Sequence, residues 1–206
     1  NGIPGDRQLV LVLPGSRPSE IKRVAPALVN AAQQLKRDNP ELSLVFMPAE
    51  NVSKYFKSSY SDVGDWALIS DDVESRYDAM AAADLALACS GTVTTELAMQ
   101  DTPMIVAYRT GWITWALARG LLYKKTHISL LNIVSDDQEI IPEFVQTRQK
   151  PELIASLAQQ WLRDPKLLAS QLARQRVALE KMKEGERDAS EIAASVILEE
   201  AHLRRS

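Results

Sequence analysis

Two short segments combine residue types that handle phosphate and sugar. The first is Leu13-Pro14-Gly15-Ser16-Arg17. Gly15 lets the backbone turn tightly and approach a ligand closely. Ser16 offers a hydroxyl, and Arg17 a planar fork of N–H donors suited to phosphate. The second is Ser90-Gly91-Thr92-Val93-Thr94-Thr95-Glu96. If a helix opens at Gly91, the N–H groups of Gly91, Thr92 and Val93 form an anion site at its positive end. Ser90, Thr92 and Thr94 add hydroxyls. No lysine follows, so this is not the GxxxxGK[ST] loop of nucleotide hydrolases. Glu96 would repel a phosphate but can accept hydrogen bonds from the two hydroxyls of a ribose, as the acid does in dinucleotide folds. Each segment also has a plainer reading: a turn with a surface arginine, and a solvated glutamate near a helix start.

Other chemistry-bearing residues read more simply. Asp71-Asp72 and Asp136-Asp137 lack the intervening residue of a DxD metal motif and sit in turn-like contexts, so they read as solvated turns and no metal is expected. His127 reads as a loop histidine rather than a general base, and His202 as a surface residue. The single cysteine, Cys89, reads as a small buried hydrophobe and cannot form an intrachain disulfide, which fits a reducing compartment.

The elements that must position these residues follow from periodicity. Gln8–Leu13, Leu42–Met47, Trp66–Ile69, Asp84–Cys89 and Pro103–Tyr108 are apolar runs of strand length. Continuous apolarity suits strands buried on both faces of a parallel sheet. Helical patterns lie between them, over Ser19–Arg37, Asn51–Tyr60, Glu74–Ala83 and Gly91–Gln100. The rhythm predicts an α/β fold with a Rossmann-like, doubly wound parallel sheet. Trp112–Tyr123 reads as a further helix, and Ile128–Val134 as a sixth strand or an extended loop. Beyond Pro142 the pattern turns all-helical. Pro151–Arg163 is one helix, Leu168, Leu172, Leu179 and Met182 mark the apolar face of the next, and Ile192, Ala193, Val196 and Ile197 that of a last one. Residues 1–150 are read as the sheet domain and 151–206 as a C-terminal helical extension.

Composition bounds the function. The 206 residues are 46% hydrophobic and 25% charged, ordinary globular usage. A net charge of −3 gives no bulk basic field for nucleic acid. No uncharged stretch is long enough to span a bilayer, and the first residues carry no signal pattern. The chain is therefore expected to be cytoplasmic. Arg109–Lys125 mixes tryptophans with basic residues, a composition that suits the surface of an anionic membrane, or else packing in a core.

Several motifs together resemble the lipid A disaccharide synthases. They are LPGSRxxEI at Leu13–Ile21, SGTxTxE at Ser90–Glu96, PMIVAYR at Pro103–Arg109, SLLN at Ser129–Asn132 and PEFVQ at Pro142–Gln146. Leu131 stands where that family usually has proline. The likeness covers nearly the whole chain but corresponds to the C-terminal half of those enzymes. They are two-domain glycosyltransferases of the GT-B type, whose C-terminal half binds the UDP-sugar donor. The N-terminal half, which binds the lipid acceptor and supplies an aspartate base, has no counterpart in the sequence.

The resemblance implies transfer of 2,3-diacylglucosamine from its UDP conjugate to the 6-hydroxyl of 2,3-diacylglucosamine 1-phosphate, with inversion and no cofactor. It implies that Arg17 steadies the departing UDP and that Gly15, Ser16, Ser90, Gly91, Thr92, Thr94 and Glu96 bind the donor. Asn132, Glu143 and Gln146 are expected to face the donor sugar, although Pro142-Glu143 also reads as an ordinary helix start. The uracil is expected against Ile69–Asp72. Other readings are a non-catalytic UDP-sugar-binding module, or another GT-B protein such as a UDP-N-acetylglucosamine 2-epimerase. Without the acceptor half, the last helices would expose an apolar face, so self-association near Ile192–Leu203 is expected.

Overall fold

The computed structural model describes residues 7–111 and 127–183, with a few positions between 194 and 198. Six strands form one parallel sheet: β1 (Leu9–Leu13), β2 (Ser43–Phe46), β3 (Leu68–Ile69), β4 (Leu85–Cys89), β5 (Met104–Tyr108) and β6 (Glu143–Val145). Their order is β3-β2-β1-β4-β5-β6. The strand order reverses between β1 and β4, which pair from Val10↔Leu85 to Leu13↔Ala88. In open α/β sheets such a reversal opens a crevice at the carboxyl ends of the strands.

Both faces of the sheet are covered, as continuous apolar strands require. On one face Val10, Val12, Leu44, Phe46, Leu85 and Leu87 pack under α1 (Pro18–Arg23), α2 (Ala25–Asp38), α3 (Glu50–Ser59) and α7 (Pro151–Arg163). On the other, Leu11, Leu13, Val45, Ala86, Ala88 and Val106 meet α4 (Arg76–Ala82), α5 (Val93–Met99), α6 (Leu130–Val134) and α8 (Pro165–Lys183). The C-terminal helices thus clamp the sheet from both sides.

Four expectations change. The helix expected over Ser19–Arg37 is two helices meeting at Val24. Pro26 has no N–H to give to the carbonyl of Lys22, so the ladder breaks there. Ile128–Val134 is neither strand nor extended loop: Leu130–Val134 is helical. The sixth strand comes later, at Glu143–Val145, and pairs with β5 from Val106↔Glu143 to Tyr108↔Val145. Pro142 therefore precedes an edge strand, where its lack of an N–H is harmless, instead of opening a helix. Finally, the fully covered positions of α8 are Gln171, Gln175 and Ala178, with Leu168, Leu172, Leu179 and Met182 half-buried beside them. The helix Trp112–Tyr123, residues Arg109–Lys125 beyond Gly111, and most of Ile192–Leu203 lie outside the described residues.

Candidate functional site

A pocket of about 220 Å³ sits at the carboxyl ends of β1 and β4, where the strand order reverses. The loop after β1 supplies Gly15, Ser16 and Arg17, and the loop after β4 supplies Ser90, Gly91 and Thr92. Glu96 joins them from α5. The two segments singled out by residue type, about 75 positions apart in the sequence, meet because β1 and β4 are neighbours.

Glu20 and Arg76 also line the pocket, and neither is among the residues expected at the site. The Glu20 carboxylate is buried behind the first loop. Its Oε2 accepts the amide N–H of Ser16 (2.8 Å) and of Arg17 (3.2 Å), while Oε1 accepts from Arg17 Nη1 (3.1 Å). A glutamate three residues into a helix that reaches back to the preceding amide is half of a capping box. That spacing was the available signal. Gly15 sits at φ +129°, and a Cβ there would come within 2.7 Å of Glu20 Cβ and 2.8 Å of Glu20 Oε2. Glycine is thus required by the backbone and by the buried glutamate.

The second loop differs. The helix starts at Val93 rather than Gly91, and its first bond runs from Thr94 N to Gly91 O (3.2 Å). The amides of Gly91, Thr92 and Val93 precede that bond. No heavy atom lies within 4 Å of a Cβ built on Gly91, and its φ is not positive. Open space, not backbone strain, surrounds this glycine.

Charge in the pocket is paired. Arg17 meets Glu20, and Arg76 Nη2 lies 3.2 Å from Glu96 Oε2. The second pair is close but poorly aligned, for neither Glu96 Oε2 nor Arg76 Nε has a hydrogen-bond partner. Two arginines and two glutamates cancel formally, and Glu20 already occupies the Ser16 and Arg17 amides. The groups left to meet an anion are the Gly91–Val93 amides and the unused guanidinium N–H groups. Cys89 closes the floor. Burial pushes its thiol up, with the Glu20 charge adding to the effect.

Four of the expected site residues do not line this pocket. Thr94 is buried and its hydroxyl donates to Gly91 O (2.8 Å), so it shapes the loop. Asn132 is fully buried: its Nδ2 donates to Ile141 O and to Glu143 Oε1, both at 2.8 Å, and its Oδ1 accepts from the amides of Ile140 and Ile141. Glu143 accepts from the amides of Ile128 (2.9 Å) and Ser129 (2.7 Å). Gln146, at φ +54°, accepts from the Thr110 amide (2.9 Å). A physical reason is common to all: each pairs with backbone groups of its own loop or of a neighbouring segment that would otherwise lack partners. Leu131 is buried in the core, filling space where the family usually has proline.

The remaining candidates are also placed. Ile69–Asp72 does not line the pocket. Asp71 accepts from Ser53 Oγ (2.7 Å) and Lys57 Nζ (2.9 Å), and the Lys57 ammonium holds its carboxyl below the usual carboxylate range. Asp136 and Asp137 occupy a turn at positive φ, and His127 Nδ1 lies 3.1 Å from Asp137 Oδ1. Among the described residues no group of three or more His, Cys, Asp or Glu is arranged to hold a metal. No helix among them is long and apolar enough to cross a membrane.

A six-stranded parallel sheet in this order, with a polar pocket at its switch point, is the Rossmann-like architecture of a GT-B C-terminal domain. Solved structures of that kind share it. A UDP-N-acetylglucosamine 2-epimerase from Listeria monocytogenes matches with a TM-score of 0.59 at 12% identity, over 82% of this chain and 39% of that one. The C-terminal domain of a group 1 glycosyl transferase from Francisella tularensis matches with 0.52 at 12% identity, over 86% of each chain. At these identities the likeness is one of fold. Sequence goes further: residues 1–197 match the family model described as lipid-A-disaccharide synthetase, and the chain belongs to that family. The enzyme named lipid-A-disaccharide synthase from Paramagnetospirillum magneticum is 34% identical over 202 residues, 97% of this chain and 51% of that one. Its namesake from Nitrosococcus oceani is 37% identical over 154 residues, 74% of this chain and 39% of that one. The chain spans about half the length of the curated relatives it matches.

Proposed function

We propose that this chain is the donor-binding half of a glycosyltransferase. It binds UDP-2,3-diacylglucosamine, and the sugar passes to the 6-hydroxyl of 2,3-diacylglucosamine 1-phosphate to make the lipid A disaccharide. The observation that carries this is the switch-point pocket, in which Arg17, Arg76, Glu96 and the Ser90–Thr92 loop converge in a chain of this family.

The proposed chemistry is glycosyl transfer with inversion. The acceptor oxygen attacks the anomeric carbon on the face opposite UDP, and the bond to the β-phosphate oxygen breaks. Its electron pair leaves with UDP, so negative charge grows there, and inversion results. Glu20 holds Arg17 through Nη1, leaving other guanidinium N–H groups to meet that charge together with the Gly91–Val93 amides. The acceptor proton goes to a base in a separate acceptor-binding half. The two ribose hydroxyls would donate to Glu96 and accept from Arg76, satisfying the polar atoms that lack partners. Thr94, Asn132, Glu143 and Gln146 support the loops and do not touch the donor. No step requires a metal. The protein works in the cytoplasm, with peripheral contact to the inner membrane through Arg109–Lys125. Flotation with liposomes unchanged by Trp112→Ala plus Lys124→Glu would remove that contact. It self-associates through Ile192–Leu203, where Ile197 and Leu198 are exposed. A strictly monomeric chain on size exclusion would remove that claim.

Calorimetry with UDP in EDTA, with ADP as control, tests the central reading. Metal-independent binding of UDP over ADP, lost in Glu96→Ala, is expected. At 100 times its dissociation constant UDP should add about 2.7 kcal/mol of stability. Equal binding of UDP and ADP, or binding that survives Glu96→Ala, would remove the donor-site assignment.

A further inference from the structure

A second concavity, of about 530 Å³, opens on the other side of α1. Arg17 and Glu20 from this short helix region face the pocket described above, while Lys22 and Arg23 line the second groove with Arg109. Among the described residues that line it, three are cationic and none is acidic. Glu152, the acid in the first turn of α7, is not among them. This is unusual in a chain whose net charge is −3.

Two helices begin at this groove. Pro26 and Ala27 in the first turn of α2 line it, as does Pro151 at the start of α7. The helices run side by side in the same direction, since Gln159 Nε2, farther along α7, donates to Asp38 Oδ2 at the last residue of α2 (3.3 Å). Their positive dipole ends therefore converge. Both helices span well over two turns, and neither N-cap, Val24 or Lys150, supplies a side-chain hydrogen bond. Gln149, also in the lining, is 8% exposed, and its Nε2 has no hydrogen-bond partner. A buried amide N–H left unpaired is costly. A ligand oxygen at this spot would satisfy it.

We infer that this groove is a second anion site, built for the phosphate group of a ligand and separate from the switch-point pocket. Three side-chain cations and one unpaired donor, set at the positive dipole ends of two helices, are suited to an acceptor-only, multiply charged group. The site does not depend on the donor reading, because it shares no residue with that pocket.

The test uses inorganic phosphate with the full chain at low ionic strength, followed by amide NMR shifts. Shifts centred on Ala27, Asn30 and Gly111 are expected. Lys22→Ala with Arg23→Ala should weaken phosphate at least tenfold while leaving the thermal midpoint unchanged, since both side chains are exposed. Gln149→Glu keeps the side-chain shape and should also weaken phosphate at least tenfold. Sedimentation with phosphatidylglycerol vesicles, against phosphatidylcholine, separates the sources. Vesicle binding lost in the double variant assigns a lipid headgroup; phosphate binding without vesicle binding assigns a soluble phosphate ligand. Shifts confined to Gly15–Arg17 and Ser90–Thr92, or unchanged affinity in both variants, would overturn the inference.

Discussion

At the scale of single residues, the two glycines of the candidate site separate structure from binding. Gly15 is held at φ +129° against the buried Glu20, so Gly15→Ala should cost roughly 1–3 kcal/mol of stability, read by denaturant unfolding. Gly91 borders open space. Gly91→Ala should leave stability within about 0.5 kcal/mol yet weaken UDP binding, because the new methyl enters the ligand's space. A Gly91→Ala chain that binds UDP normally would show that the loop does not approach the ligand closely. Cys89 supplies a further check. Its thiol is buried and its ionisation is opposed by burial and by Glu20, so it should resist alkylation at pH 7 until the protein unfolds. Glu20 itself was visible only as one letter of a motif. Its carboxylate becomes interpretable once two backbone amides are seen to converge on it.

At the scale of elements, buried carboxamides fix what the apolar pattern leaves open. Asn132 ties α6 to the approach to β6 through four hydrogen bonds. Asn132→Ala strands several buried groups and should cost about 3 kcal/mol. UDP affinity should survive in whatever fraction stays folded, as measured by calorimetry below the unfolding midpoint. Gln175 does the same for α8: it accepts from Met104 N (3.2 Å) and donates to Thr102 O (2.9 Å) at the entry to β5. This explains why the covered face of α8 is not the leucine stripe that spacing alone predicts. The helix passes the start of β5, where the N–H of Met104 and the C=O of Thr102 need polar partners rather than methyl groups. Strand type was legible from unbroken apolar runs such as Leu9–Leu13 and Leu85–Cys89. The third strand shrinks to Leu68–Ile69, and the sixth moves to Glu143–Val145. Short edge strands carry too few residues for a period to show.

At the scale of the whole molecule, acid stability follows from exposed carboxylates with cationic partners. Arg176 donates to Asp101 through two nitrogens (2.8 and 3.0 Å) and holds its carboxyl below the usual range, as Lys57 does for Asp71. A folded-state pKa that is depressed contributes stability above the unfolded value, near ~3.9, and loses it as pH falls through the folded one. The thermal midpoint should therefore fall as pH drops below about 4. The double variant Asp71→Asn, Asp101→Asn should show a shallower fall. Because these pairs are exposed, the effect should be small and should shrink further at high salt.

The sequence by itself determined the fold class, most places where helix and strand alternate, and the two loops that meet at the switch-point pocket. These are local matters: unbroken apolarity marks buried strands, and glycine, serine, threonine and arginine mark loops that can hold an anion. Only the tertiary structure decided which of these polar residues line the pocket and which bond within the chain. Thr94, Asn132 and Glu143 have the same chemistry as donor-binding residues, yet they bond backbone groups and each other, and Gln146 accepts a backbone N–H while its buried Nε2 has no partner. Arg76 reaches the pocket although nothing local marks it, and Glu20, marked only by its capping-box spacing, turns out to line it as well. A side chain's hydrogen-bonding capacity is written in its type, but its partner depends on which distant backbone groups the folded chain buries beside it.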